Sequence, residues 1–265
     1  MNVPISATVL AKNSERTIGE CLRALRAFDE VIVLDNGSTD QTMNIASAFP
    51  NVTLLESGME GFGPLKNFAA RNARHDWILN VDSDEILSDE LVREIAHLKL
   101  DERHAYSMVR ENFFNGRLIK CCGWYPDRVL RLYNKCQTSF EEKLVHESLQ
   151  KKKGIKIVPL RHPMRHFSYR NASDLLDKMK HYAQLYAREN AGTKKSGPLK
   201  ASFHALFAFV RNYFLQRGFL YGYEGLLISV SNAGGVFYKY IMLHEANQAP
   251  KKCPKERQCN SSWNQ

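Results

Sequence analysis

Asp82, Ser83, Asp84 and Glu85 put three carboxylates into four residues, directly after the apolar run "WILNV". Like charges this close repel, and burying each one costs several kcal/mol unless a cation sits between them. Two arrangements relieve the repulsion. Water can screen the acids on a surface turn, where the dipole of a following helix also favours them. Alternatively, a metal ion belongs there. A calcium loop needs a further Asp or Asn and a Gly soon after, whereas Ile86 and Leu87 follow here. A dinucleotide fingerprint is absent, because "GMEGFG" has the wrong spacing. Mg2+ or Mn2+ takes one or two carboxylates and completes its shell with phosphate oxygens and water. An ion that bridges a diphosphate and neutralises a leaving nucleoside diphosphate is therefore the chemistry that fits best.

The elements that would position these acids alternate along the first hundred residues. "ISATVLA", "EVIVLD", "VTLLE" and "WILNV" read as strands. "RTIGECLRALRAF", "MNIASAFP", "PLKNFAARNA" and "SDELVREIAHL" read as helices. Ser88 is the expected cap of the last, and Ser38 with Gln41 has capping-box spacing. This order predicts an α/β fold with an open, mostly parallel sheet. Such sheets bind ligands beyond the C-terminal ends of their strands. Asn13 to Glu15, Asp35-Asn36-Gly37 and Asp82-Ser83-Asp84 all fall at those ends.

Beyond residue 105 the pattern changes. "AYSMV" and "RVLRLY" read as strands, "KKKGIKIVPLRHPMRHFSY" as basic and partly extended, and "SFEEKLVHESL" is ambiguous. Residues 173–190 and 199–216 read as helices, the second amphipathic through Phe203, Leu206, Phe207, Val210, Tyr213 and Phe214. The tail 249–265 has few apolar residues and is expected to be disordered. The apolar stretch 225–243 is interrupted by Asn232, Gly234, Gly235 and Lys239, and reads as not spanning a membrane.

The chain has 265 residues and net charge +9, unevenly spread. Residues 1–100 hold 9 Lys+Arg against 15 Asp+Glu, and residues 101–265 hold 28 against 13. A basic second part suits phosphorylated substrates or an anionic membrane. No recognised nucleic-acid module accompanies it, so nucleic acid is not an expected partner. The six cysteines form no Cys-x-x-Cys pair, which disfavours a zinc cluster. The N-terminus lacks the pattern of a signal peptide. A reducing cytosol and free thiols are the expectation.

Asp82-Ser83-Asp84 resembles the Asp-x-Asp motif of GT-A-fold, family 2 glycosyltransferases. "VIVLDNGSTDQT" is similar to their nucleotide-binding turn, "TVLAKNSERTIGECL" to their opening strand and turn, and "GFGPLKNFAARNA" to the segment before the motif. Together these cover roughly residues 3–170. "GWYPDRVLRLYN", "LVHESL", "RHFSY" and "RNYFLQRGFLYGYEGLLISVSNAGGVFYKY" further resemble the bacterial lipopolysaccharide core glycosyltransferases of the WaaE/KdtX type. The sequence departs from the family pattern at Lys12, Asn36 and Lys66.

The resemblance implies a GT-A domain over 1–170, a helical extension over 171–248 and a basic tail. It implies an inverting hexosyltransferase that uses a UDP-sugar, Mn2+ or Mg2+, and a lipid-linked or lipopolysaccharide core acceptor. Asp35 would accept from the uracil imide N–H, or simply cap its turn. Ala11, Asn13 and Glu15 would line base and ribose, Ser83 the nucleotide-sugar, and Lys66 the diphosphate. Asp84 would bind the metal, joined by His166 and by Asp82, the latter through water or the ribose. Glu147 and Asp127 are alternative bases for the acceptor hydroxyl. The basic extension would sit on the anionic inner face of the cytoplasmic membrane, unless its apolar stripe packs internally or forms a homodimer. Two rival functions are a sugar nucleotidyltransferase, which lacks its Gly-rich phosphate loop here, and an inactive membrane scaffold.

Overall fold

In β1 (Val3–Ala11), Ile5, Ala7, Val9 and Ala11 are buried on one side and Ser6 and Thr8 on the other. A strand covered on both faces belongs in the middle of a parallel sheet. The computed structural model describes residues 3–142, 148–150, 152 and 154–248. There β1 lies between β2 (Phe28–Asp35) and β4 (Trp77–Asp82), and β3 (Val52–Glu56) follows β2, all parallel. The intervening helices are α1 (Ile18–Ala24), α2 (Thr42–Ser47) and α3 (Phe62–Arg71). Ile18, Leu22 and Ala46 enter the core on one face of the sheet, and Leu65 and Ala69 of α3 enter a second core that includes Ile32, Leu34 and Ile78.

Past β4 the sheet becomes mixed. The short β5 (Glu85–Leu87) leads into α4 (Asp89–Ala96), whose Ser88 cap accepts from Leu91 N–H at 3.1 Å as the sequence predicts. β6 (His104–Phe114), β7 (Arg117–Leu118), β8 (Asp127–Asn134), β9 (Lys156–Pro159) and β10 (Met164–Tyr169) complete it. The strand order is β3-β2-β1-β4-β8-β6-β10-β5, with β7 and β9 also on β6. β8 runs antiparallel to both β4 and β6, and β5 antiparallel to β10. This mostly parallel sheet flanked by helices, followed by a helical C-terminal part, bears out the expected GT-A architecture.

The C-terminal part comprises α5 (Ala172–Asn190), α6 (Pro198–Val210) and α7 (Gly222–Gln248), with a π turn over Arg211–Leu215 and a 3-10 turn over Gly218–Tyr221 between the last two. A third small core of Phe114, Ile119, Cys121, Cys122, Leu175 and Ile228 joins it to the sheet. Gly218–Gln248 is long and apolar enough to cross a membrane by length and composition. Cys21, Cys121, Cys122 and Cys136 are free thiols.

The capping box expected from Ser38 and Gln41 does not form. Ser38 turns back to Asp35, and Gln41, the N-cap of α2, makes no side-chain cap. The expected tail 249–265 lies outside the described residues.

Candidate active site

The C-terminal edges of β1, β2 and β4 meet in two linked turns. Asp35 is buried; its Oδ2 accepts N–H from Gly37 at 3.0 Å and Ser38 at 2.9 Å, while Oδ1 accepts the Ser38 hydroxyl. Asp35 thus caps its own turn, which is one of its two expected roles. Asn13 adopts φ 50°, in the left-handed region that asparagine tolerates. From there its N–H donates to Ser38 Oγ at 2.9 Å and its Oδ1 accepts from Thr39 N–H at 2.8 Å. Glu15 accepts from Gln41 N–H at 3.2 Å, and the Ala11 carbonyl accepts from Asn36 N–H at 3.0 Å. Ser83 reaches Ser14 hydroxyl to hydroxyl at 2.8 Å. Ala11, Asn13, Glu15, Asp35 and Ser83 therefore share one edge.

The acids that end β4 are stabilised in a way that neither water nor metal supplies. Arg131 of β8 is buried and donates through Nη2 to Asp82 at 2.5 Å and also to Glu85. Its Nη1 reaches Asn80 Oδ1 at 3.2 Å. Glu85 is fully buried; it also holds Arg110 of β6 at 3.1 Å and accepts Asp82 N–H at 3.0 Å. Lys66 lies 3.3 Å from Asp82 and over the Phe140 ring. Burial opposes a charge on Asp82, but Arg131 and then Lys66 outweigh it and hold the carboxyl well below the usual carboxylate range. The repulsion is answered by protein cations from other strands and helices.

Lys66 is buried rather than solvated, and it directs its ammonium at Asp82. The two oxygens of Asp82 face Lys66 and Arg131. Among the described residues no group of three His, Cys, Asp or Glu side chains converges as a metal cluster.

Asp84 is placed differently. Its Oδ1 faces Nε2 of His166 at 3.5 Å, and its Oδ2 faces Lys178 of α5 at 3.5 Å. Burial opposes its charge, but His166 and then Lys178 prevail and hold the carboxyl well below the usual range. β10 delivers His166 because it pairs antiparallel to β5, which sets His166 opposite Glu85, one residue after Asp84. The far side of the imidazole is fixed as well. Asn112 donates from Nδ2 to Trp124 O at 2.9 Å and to Asp127 Oδ2 at 3.1 Å. Those two acceptors orient the amide, so its Oδ1 meets His166 Nδ1 at 2.6 Å as an acceptor. Nδ1 therefore carries a hydrogen, and Nε2 is the nitrogen turned to Asp84.

Asp127 opens β8, accepts from Arg110 Nε at 2.8 Å, and connects to His166 through Asn112. Glu147, the other expected base, lies outside the described residues.

A carboxylate and an imidazole set face to face are donor types that Mn2+ accepts and that Mg2+ can use with water and phosphate oxygens completing its shell. Sequence reasoning overlooked Arg110, Asn112 and Lys178, and it did not foresee that Arg131 would hold Asp82 and Glu85. The one available signal was Arg131 itself, an arginine inside an otherwise apolar strand, "RVLRLY".

Residues 6–121 match the model of glycosyl transferase family 2. The chain is 27% identical over 254 residues to an uncharacterized glycosyltransferase of Rickettsia typhi, covering 91% of this chain and 87% of that protein. It is 26% identical over 160 residues to the lipopolysaccharide core biosynthesis glycosyltransferase LpsC of Rhizobium meliloti, covering 56% of this chain and 57% of the relative. Among solved structures it is similar in fold to the mannosyltransferase PcManGT from Pyrobaculum calidifontis in complex with GDP-Man and Mn2+. That likeness has a TM-score of 0.52 at 13% identity and covers 92% of this chain and 87% of the other.

Proposed function

From the match of residues 6–121 to glycosyl transferase family 2, we propose that this chain is a metal-dependent, inverting hexosyltransferase. It moves a hexose from a UDP-sugar to a lipid-linked saccharide of the lipopolysaccharide core type, at the cytoplasmic face of the membrane. Residues 1–170 form the transferase part, and 171–248 the part next to acceptor and membrane. The observation that carries the reading is the Asp84–His166 pair, with Asn112 fixing the imidazole, beside the turns of Asn13 and Asp35.

Asp84 and His166 would hold Mn2+ or Mg2+. When bound, the ion supplies positive charge to the diphosphate leaving group. The chain's own residues do the rest. Asn112 keeps the hydrogen on His166 Nδ1. The Asp35 and Asn13 turns seat the nucleoside, with Ala11, Glu15 and Ser83 around base and ribose. Arg131 and Lys66 hold Asp82 ionised and in place. A carboxylate accepts the proton of the acceptor hydroxyl as its oxygen attacks the anomeric carbon, and the nucleoside diphosphate leaves from the opposite face. Asp127, held by Arg110 and Asn112, and Glu147 are the two candidates for that base.

Calorimetric titration of UDP and GDP, with and without Mn2+, tests the donor site. UDP binding should strengthen at least tenfold with Mn2+, and Asp84→Ala should erase that gain. Equal binding with and without the ion overturns the metal assignment, and a preference for GDP overturns the donor. For the base, Asp127→Asn and Glu147→Gln are compared: the true base loses roughly 10²–10⁴ in kcat with donor affinity intact.

A further inference from the structure

α6 is amphipathic in an inverted sense. The residues it buries are the small Ala201 and Ala208, on the side that lies along α7. Leu199, Phe203, Leu206 and Val210 recur at spacings that share one face, and that face is turned to solvent, with Leu199 88% and Phe203 70% exposed. The apolar exposure continues through Phe214 and Leu215 of the π turn, Phe219 and Leu220 of the 3-10 turn, and the start of α7. Ring contacts of Tyr213 with Phe209, Phe214 and Phe219 tie the helix to both turns. Twelve apolar side chains are exposed between Leu199 and Val230. At about half of the roughly 150–250 Å² that a large aromatic presents, they come to roughly 1,000 Å². Monomeric soluble proteins rarely leave more than a few hundred Å² of contiguous apolar surface uncovered.

The charge beside this face is of one sign. From Lys194 to Arg217 the chain has five Lys or Arg and no Asp or Glu. At the N-terminal end of α6 three lysines gather on two tyrosines. Lys194 and Lys239 sit over the Tyr186 ring at 5.3 and 4.8 Å, and Lys239 and Lys200 over the Tyr240 ring at 5.0 and 5.2 Å. His204 stacks on Tyr240 as well. No carboxylate among the described residues forms an ion pair with any of the three lysines. Lysine ammoniums gathered without counter-charge, next to exposed aromatics, complement a surface that offers both acyl chain and anion.

We propose that α6 and the two turns after it lie in the headgroup layer of an anionic bilayer, with Lys194, Lys200 and Lys239 taking lipid phosphates. The helix lies in the plane of the interface, its apolar face below the headgroups and its basic flank among them. This deepens the reading above by naming the surface that meets the membrane, and it rests on that reading only for which face the acceptor occupies. α5 connects the two places. Lys178 faces Asp84, and Tyr186 carries the lysine cluster eight residues later, roughly 12 Å along the helix at 1.5 Å per residue. A lipid-linked acceptor therefore meets the transfer site close to the interface.

The test is vesicle co-sedimentation of the full chain without donor or acceptor, so its outcome is independent of the UDP titration. The vesicles are phosphatidylcholine alone and phosphatidylcholine mixed with phosphatidylglycerol. The expected result is binding to the mixed vesicles that falls with added salt and is released by an alkaline carbonate wash. Leu206→Ser/Phe207→Ser/Phe214→Ser, all at exposed positions, should weaken it at least tenfold. Lys194→Gln/Lys200→Gln should weaken binding to the mixed vesicles at least tenfold and leave binding to phosphatidylcholine unchanged. Circular dichroism confirms that both variants fold. The proposal is overturned by no binding to mixed vesicles, by equal binding to both vesicle types, or by unchanged binding in the serine variant. Resistance to the carbonate wash would show a spanning helix instead, and a dimer that the serine variant abolishes without vesicle binding would show a second copy on this face.

Discussion

Arg131→Met tests the idea that protein cations make the acidic cluster possible. Methionine keeps most of the length and apolar volume of the side chain and removes the guanidinium. Of its two cations Glu85, fully buried, would keep Arg110 at 3.1 Å, and Asp82 would keep Lys66 at 3.3 Å. Removing one partner of a buried ion pair costs about 3–5 kcal/mol. Because each carboxylate keeps a second cation, the lower end applies, about 3 kcal/mol. With a urea dependence of about 2–3 kcal/mol per molar for a chain of this size, the unfolding midpoint should fall by roughly 1 M. The double variant Arg131→Met/Glu85→Gln should be less destabilised than the two single losses added together, since Glu85→Gln removes the charge that Arg131→Met strands. A loss below about 1 kcal/mol, or strict additivity in the double variant, would refute the reasoning.

Asn112→Leu should weaken Mn2+ about 10–100-fold, because His166 loses the acceptor that sets its tautomer. UDP affinity measured without metal should not change, and calorimetry reads both. Glu94 accepts N–H from Arg161 and His162 at 3.0 and 3.1 Å, and these donors outweigh burial to hold its carboxyl below its usual value. A depressed carboxyl stabilises the fold above its unfolded pKa of about 4.3 and loses that contribution as pH falls through the folded value. Glu94→Gln should therefore cost ~1 kcal/mol at neutral pH, with the gap to the parent closing below about pH 4, as followed by urea midpoints. Gly225→Ala would put its Cβ 1.8 Å from the Gly218 carbonyl oxygen. Parting the 3-10 turn from α7 should cost about 2–3 kcal/mol and lower the melting temperature by roughly 5–10 °C, read by calorimetry.

Much of the scaffold was legible because its signals are local. The four parallel strands follow from short apolar runs, α4 from the Ser88 cap, and the site's location from the rule that ligands meet strand ends. The site's electrostatics were not legible, because they depend on long-range pairings. Arg110 comes from 25 residues past Glu85, Arg131 from 49 past Asp82, and Lys178 from 94 past Asp84. Each arrives through a strand order or helix placement that periodicity does not specify. The same holds for β5, three residues that look like a helix approach until β10 pairs with them. Ser38 misled for a nearer reason: its hydroxyl and N–H had a better acceptor in Asp35 than in the helix end.

The cations around Asp82, Asp84, Glu85 and Asp127 have a consequence for how the protein lives before it meets any ligand. Lys66, Arg110, Arg131 and Lys178 oppose these four carboxylates one for one. The chain emerging from the ribosome can therefore close its sheet in a cell starved of divalent ions. On the proposed metal dependence, chelators should silence such a protein without unfolding it, and restoring the ion should return activity at the rate of diffusion, with no refolding to wait for.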